Sequence, residues 1–263
     1  MKKFPSFLPI FIATAVVAHG QAPQPTVEKL SDARAEKVIF LNPEYLSFAP
    51  KTKLKEGRKI PLIIYLHGAG GSGTEIRKIT GQVARGLIPG LKKFVEEPCL
   101  IVAPQCSRES SKSKEKGTWE AADLEIFLEQ VQEAHPEIDL KRIYLTGNSM
   151  GGYGSWMWGG HHPENFAAIA PIVGGIGRGG PKDVTPDLEK WAANLAKVPV
   201  YAFAGGQDRV VPAERSERIV AAIKKTGGKQ AKIKVFPEEG HGAGRLVFSS
   251  KEFFEWMFSQ KRD

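Results

Sequence analysis

Residues 143–152 read Ile-Tyr-Leu-Thr-Gly-Asn-Ser-Met-Gly-Gly. The first four are apolar or β-branched and suit a short buried strand. Gly147-Asn148-Ser149-Met150-Gly151 then fits G-x-S-x-G, in which small flanking residues let the chain turn sharply and hold one hydroxyl above a sheet. In a chain with 28 glycines an ordinary strand-to-helix turn would satisfy the same pattern, so the setting has to decide. Here the apolar run leads straight into the turn, and Gly151 through Trp158 can open a helix packed behind it. That setting makes Ser149 a candidate nucleophile.

Outward from this stretch, composition describes an ordinary globular chain. With 263 residues, 41% hydrophobic and 25% charged, it can bury one large core, and no internal repeat or second domain is visible. The N-terminus carries Lys2 and Lys3, an apolar run from Phe7 to Ala18, and small residues at Ala18 and Gly20. This is a secretory signal pattern with cleavage expected after Gly20, which predicts a secreted or periplasmic protein. The apolar run is shorter than the ~20 residues a membrane-spanning helix needs, so no stable anchor is expected. Loss of residues 1–20 removes two lysines and no acid, lowering the formal charge from +8 to +6. The basic residues do not interleave with aromatics as a nucleic-acid surface requires, so nucleic acid is not an expected partner.

Export would permit a disulfide between Cys99 and Cys106, the chain's two cysteines. Cys99 opens an apolar strand, and at about 3.3 Å per residue Cys106 should lie beyond the ~7 Å Cα limit for a bridge. Two free cysteines are expected, with no metal knuckle. His161-His162-Pro163-Glu164 has the residue types of a metal cluster but falls where the helix after Ser149 should end. No metal site and no cofactor are implied.

Taken in order, residues 21–35 read as a flexible linker, Lys37 to Leu41 as the start of the sheet, and Asn42 to Lys59 as hairpin and loop. Pro61 to Leu66 is a nearly continuous apolar run, as in parallel strands covered on both faces. His67-Gly68-Ala69-Gly70-Gly71-Ser72-Gly73 follows at once. Gly68 to Gly73 formally matches the dinucleotide fingerprint G-x-G-x-x-G, but the acidic residue that motif needs at the end of the next strand is missing from Ala103-Pro104-Gln105-Cys106. The alternative is an oxyanion loop, with the backbone N–H groups of Ala69 and Met150 as donors. Further strands are expected at Cys99–Ala103, Phe166–Val173, Val198–Ala204 and Ile233–Phe236. Between them, Leu124, Phe127, Leu128 and Val131 follow helical spacing, as do Ile219, Ala222 and Ile223 and then Phe253, Trp256 and Met257. Strand and helix alternate throughout, so an α/β sheet, mostly parallel and with helices on both faces, is predicted over residues 36–263.

Three polar residues fall in turns after strands: Ser149, Asp208 and His241. A serine hydroxyl becomes a useful nucleophile when a histidine takes its proton and a buried carboxylate holds that histidine in the right tautomer. The order Ser, Asp, His is that of α/β-hydrolases. Taken singly, Asp208 could cap the next helix and His241 could be a loop residue; Asp183, Asp187 and Glu239 are the other acids within reach of such a role.

With these residues in place, Asp139 to Gly154, Phe166-Ala-Ala-Ile-Ala-Pro171 and Ala202-Phe203…Asp208…Val211-Pro212 resemble secreted esterases of the polyhydroxybutyrate depolymerase and feruloyl or acetylxylan esterase type. Carboxylesterase/phospholipase and dienelactone hydrolase relatives are close to these. The resemblance runs from Pro61 to Trp256 and implies an α/β-hydrolase fold without a large cap domain. It also implies the triad Ser149, Asp208 and His241, with Ala69 and Met150 as oxyanion donors. The chain departs from the pattern at Gly205-Gly206, where relatives often carry histidine and glycine, and in its very glycine-rich loop after His67. A serine carboxylic-ester hydrolase is expected, acting through an acyl-enzyme on small or polymer-borne esters such as acylated polysaccharide or polyester. A prolyl-oligopeptidase-like peptidase and an inactive binding module on the same fold are the alternatives. Oligomeric state is not written in the sequence.

Overall fold

The computed structural model describes residues 24–50, 54–114, 117–176 and 187–263. The signal stretch 1–20 and Asp183 lie outside the described residues. One eight-stranded sheet runs in the order β1-β2-β4-β3-β5-β6-β7-β8. Its strands are β1 (Thr26–Lys29), β2 (Leu41–Phe48), β3 (Ile60–Leu66), β4 (Leu100–Cys106), β5 (Ile138–Asn148), β6 (Ala168–Ile172), β7 (Val200–Gly205) and β8 (Ala231–Phe236). The β1–β2 and β2–β4 pairings are antiparallel and every other neighbour is parallel.

Both faces are covered, which is why β3 reads as an unbroken apolar run. All seven of its residues are buried, and they alternate between two cores: Ile60, Leu62, Ile64 and Leu66 face one, Ile63 and Tyr65 the other. The first core receives α4 (Ala121–Ala134), α5 (Met150–His161), α6 (Leu188–Leu195) and α7 (Glu214–Lys225) through Phe127, Trp156, Leu195 and Ile219. The second receives α2 (Thr80–Arg85), α3 (Leu87–Phe94), α8 (Gly244–Phe248) and α9 (Lys251–Phe258) through Val83, Leu87, Val247 and Phe254. Each such side chain contributes roughly 1.5–3 kcal/mol of transfer free energy, so two-sided burial fixes strand identity more firmly than local propensity does.

The predicted helix at Leu124, Phe127, Leu128 and Val131 is α4, which buries all four. Cys99 and Cys106 are both buried free thiols, and burial pushes them up to about 12 and about 11 respectively.

The N-terminal expectations need correction. Within the stretch read as a linker, Thr26–Lys29 is the edge strand β1, and α1 (Asp32–Ala35) follows it. The segment is held from a distance: Tyr45 donates its hydroxyl to Glu28 at 2.8 Å, His135 Nε2 lies 2.9 Å from the same carboxylate, and Leu30 is buried. The sheet therefore begins at Thr26 rather than near Lys37. Asn42 to Phe48, read as hairpin and loop, belongs to β2. Pro43 and a register shift between Leu41 and Tyr45 break the alternation there, as a bulge does.

Candidate active site

Ser149 stands at the crossing of β5 and α5 with φ 59° and ψ −117°. A non-glycine residue in that region stores about 1–3 kcal/mol of strain and persists only where its surroundings over-determine it. Here they do. The Ser149 N–H donates to the carbonyl of Ile172 at 3.0 Å, and the Tyr153 N–H donates to the carbonyl of Ser149 at 3.0 Å. The flanking glycines are sterically required: a Cβ on Gly147 would strike the Gly151 carbonyl, and one on Gly151 would strike the carbonyl oxygen of Leu66.

The turns after β7 and β8 bring the other two predicted residues to this serine. His241 Nε2 lies 2.8 Å from Ser149 Oγ, and His241 Nδ1 lies 2.8 Å from Asp208 Oδ2. The other Asp208 oxygen accepts the backbone N–H groups of Val210 at 2.8 Å and Val211 at 2.9 Å, which aims the carboxylate at the imidazole. The Asp208 side chain is fully buried while that of His241 is 31% exposed. The carboxylate is thus sheltered and the ring can meet a substrate. Such a relay can draw a proton from Ser149 and return it to a leaving group. Of the other acids, Glu239 is engaged by the Arg245 guanidinium at 2.7 and 2.9 Å, and Asp187 sits at the start of α6.

The glycine-rich loop packs against the serine: a Cβ placed on Gly68 would lie 3.6 Å from Ser149 Cβ. Its shape is set by His67, a polar residue buried completely at the end of β3. The Cys106 N–H donates to His67 Nε2 at 3.0 Å, so the ring proton sits on Nδ1, 2.7 Å from the carbonyl oxygen of Gly68. The Gly71 N–H donates to that same oxygen at 2.9 Å. No cis peptide is present among the described residues, so fixing the Gly68 carbonyl turns the Ala69 N–H of the same peptide plane the opposite way. On the other side of the residue, the Gly68 N–H donates to Gln82 Oε1 at 3.1 Å. Met150 opens α5, and its N–H has no carbonyl four residues back within the helix. Burial holds His67 down at about 4, so it stays neutral and keeps this tautomer in mildly acidic solution.

Sequence reasoning named His67 only as the start of the loop, and it missed Gln82, which holds the Gly68 N–H. The usable signal was His67 itself, a polar residue closing an apolar strand. Gln82 is placed by its contact with the loop after β3, which no local pattern announces. Beside His241 opens a cleft of about 530 Å³, lined among others by Tyr65, Gln82, Arg85, Phe94 and Arg245.

The dienelactone hydrolase family model matches residues 101–245, more than half of the chain. Among curated proteins, a Salmonella typhimurium protein provisionally named carboxymethylenebutenolidase is 33% identical over 109 residues, covering 39% of this chain and 37% of that one. An acylamino-acid-releasing enzyme of Sus scrofa is 28% identical over 167 residues, 52% of this chain and 22% of that protein. The matched part is thus little more than a third of the first relative's length and less than a quarter of the second's. Among solved structures, a thermostable esterase superposes with a TM-score of 0.68 and 29% identity over 90% of this chain and 63% of that one. A ferulic acid esterase superposes with a TM-score of 0.63 over 89% of this chain and 96% of that one; at 17% identity it speaks for the fold alone. Sheet order, helices on both faces and these matches agree: the chain has the α/β-hydrolase fold and belongs to the dienelactone hydrolase family.

Proposed function

We propose that the protein is an exported serine esterase that works through an acyl-enzyme. The observation that carries this reading is the unbroken relay from Asp208 through His241 to Ser149, with both bonds at 2.8 Å. Ser149 Oγ attacks the ester carbonyl as His241 Nε2 takes its proton. The negative charge that develops on the carbonyl oxygen is met by the N–H groups of Ala69 and Met150. His241 then gives the proton to the leaving alcohol, and a water activated by the same histidine releases the acid. The steps call on no cofactor. The open cleft and the absence, among the described residues, of a further domain inserted between the strands favour esters carried on a polymer, such as acylated polysaccharide or polyester. Export rests on the signal pattern of residues 1–20.

A fluorophosphonate probe followed by peptide mass spectrometry tests this reading. The expected label is on Ser149 alone; no label, or a label elsewhere, would rule the mechanism out. The similarity to an acylamino-acid-releasing enzyme favours a peptidase as the second reading. The two part on substrate: the esterase cleaves aryl esters far faster than the matching peptide anilides, and the peptidase does the reverse.

A further inference from the structure

β2 leaves the regular ladder between Leu41 and Tyr45. Leu41 pairs with Cys106 and Tyr45 with Pro104, so Asn42, Pro43 and Glu44 all stand opposite Gln105 alone. A regular antiparallel pair sets one residue there, and such irregularities gather beside functional sites, where they re-aim a side chain.

The side chain re-aimed here is an amide that meets a second amide. Gln105 is fully buried and Asn42 nearly so, which is costly unless their hydrogens are all spent. They are. Gln105 Nε2 donates to the carbonyls of Gly71 at 2.8 Å and Glu75 at 3.0 Å, and Gln105 Oε1 accepts from Asn42 Nδ2 at 2.8 Å. Asn42 Nδ2 also donates to the Thr74 carbonyl at 3.0 Å, while Asn42 Oδ1 accepts the Glu44 N–H at 3.0 Å. The backbone forces this arrangement. The Glu44 N–H needs an acceptor and the Thr74 carbonyl a donor, so Asn42 faces one way, and Gln105 must then turn its NH₂ to the loop after β3. Turning either amide over would set oxygen against carbonyl oxygen.

From Gly71 the hold reaches the oxyanion donor in one step. The Gly71 N–H donates to the Gly68 carbonyl at 2.9 Å, and that carbonyl shares a peptide plane with the Ala69 N–H. Gly71 has little room to shift, since a Cβ there would lie 2.6 Å from His67 Nδ1. His67 and Gln105 therefore grip the same turn, one through the Gly68 carbonyl and one through the Gly71 carbonyl.

We infer that Gln105 is a positioning residue for the oxyanion loop and that the irregularity in β2 serves to bring Asn42 to it. The antiparallel end of the sheet, remote in sequence from Ser149, thereby helps to set the rate. This rests on the serine esterase reading given above.

The test uses Gln105→Met, which keeps the length and removes both donors, and Asn42→Ser, which removes the amide that orients Gln105. Each is compared with wild type in hydrolysis of p-nitrophenyl acetate and in inhibition by hexyl trifluoromethyl ketone. Ser149 Oγ adds to the ketone carbonyl as its proton passes to His241, and the adduct leaves its negative oxygen where the donors of the loop and elbow point. At a temperature well below each variant's Tm, Gln105→Met should lower kcat about 10- to 100-fold, because the donor stays but is displaced. KM should stay within about three-fold, and the inhibition constant should rise by about the factor that kcat falls. Asn42→Ser should show the same pattern in smaller degree, and it carries the test if Gln105→Met does not fold. A lower Tm with kcat and inhibition unchanged would mean a purely structural amide pair, and a change in KM alone would mean a substrate contact; either overturns the inference. The parent reading is read separately. If Ser149→Ala hydrolyses the ester as well as wild type does, the serine mechanism falls and this inference falls with it; if the serine is required and both variants keep wild-type kcat, this inference falls alone.

Discussion

The Nδ1–H of His67 points at the carbonyl oxygen of Gly68 at 2.7 Å, and this bond orients the amide that follows it. Because the Cys106 N–H occupies the other ring nitrogen, only the neutral Nδ1–H tautomer fits both partners. The loop that faces Ser149 is thereby tied to the end of β4.

His67→Leu should leave the helices and sheet intact and lower kcat by roughly 10²–10³-fold, the range for loss of one oxyanion donor, with a smaller change in KM. Steady-state kinetics with circular dichroism as a folding control would check it. A fall in KM-dependent terms alone would place His67 in substrate binding instead.

The same histidine gives a signed pH dependence. Its folded value of about 4 lies below the ordinary imidazole value of about 6.5, so the unfolded chain takes up the proton first as pH falls. Stability should therefore decline between about pH 6.5 and pH 4, by up to about 3 kcal/mol, and level off below that. Thermal melts across this range should show the decline in wild type and a weaker one in His67→Leu.

His135 acts in the opposite sense. Glu28 at 2.9 Å and Glu137 at 3.2 Å raise it above its ordinary value, with Glu28 the larger cause, and the pair pins β1 to the end of α4. Its contribution is complete below about pH 6.5 and fades as pH rises through the raised value. Glu28→Gln should remove most of that loss, and hydrogen exchange at Thr26–Lys29 should become faster and less sensitive to pH near neutrality.

Asp208→Asn should fold normally yet lose about 10³–10⁴-fold in kcat, because an amide cannot hold His241 in the tautomer that accepts the serine proton. Glu239→Gln, whose carboxylate serves Arg245, should stay within a few-fold of wild type. Comparable losses in both would dissolve the assignment of the acid.

Gly151→Ala should cost stability rather than a catalytic group, since the added methyl would overlap the Leu66 carbonyl. A penalty of about 3 kcal/mol, at the upper end for overpacking, would lower Tm by roughly 6–12 °C in a chain of this size.

What was legible in the sequence was whatever local chemistry encodes. Gly147 to Gly151 announced the elbow because only small residues allow that crossing, and Asp208 and His241 followed strands whose apolar runs were plain. The edge of the sheet was not legible. β1 is four residues long, and Pro43 with the register shift hides β2, so both depend on distant partners such as Asp123, whose carboxylate accepts the N–H groups of Ile39 and Phe40. Gln82 looked like helix filler for the same reason: its partner, the Gly68 N–H, lies in a loop fourteen residues earlier in the chain.

The central claim is that Ser149 is the nucleophile, and hydrolysis of short p-nitrophenyl esters by wild type and by Ser149→Ala tests it most directly. The account predicts turnover by wild type and a loss of several orders of magnitude in the variant, with His241 left without its serine partner and the fold unchanged. Equal hydrolysis by the two proteins would contradict it.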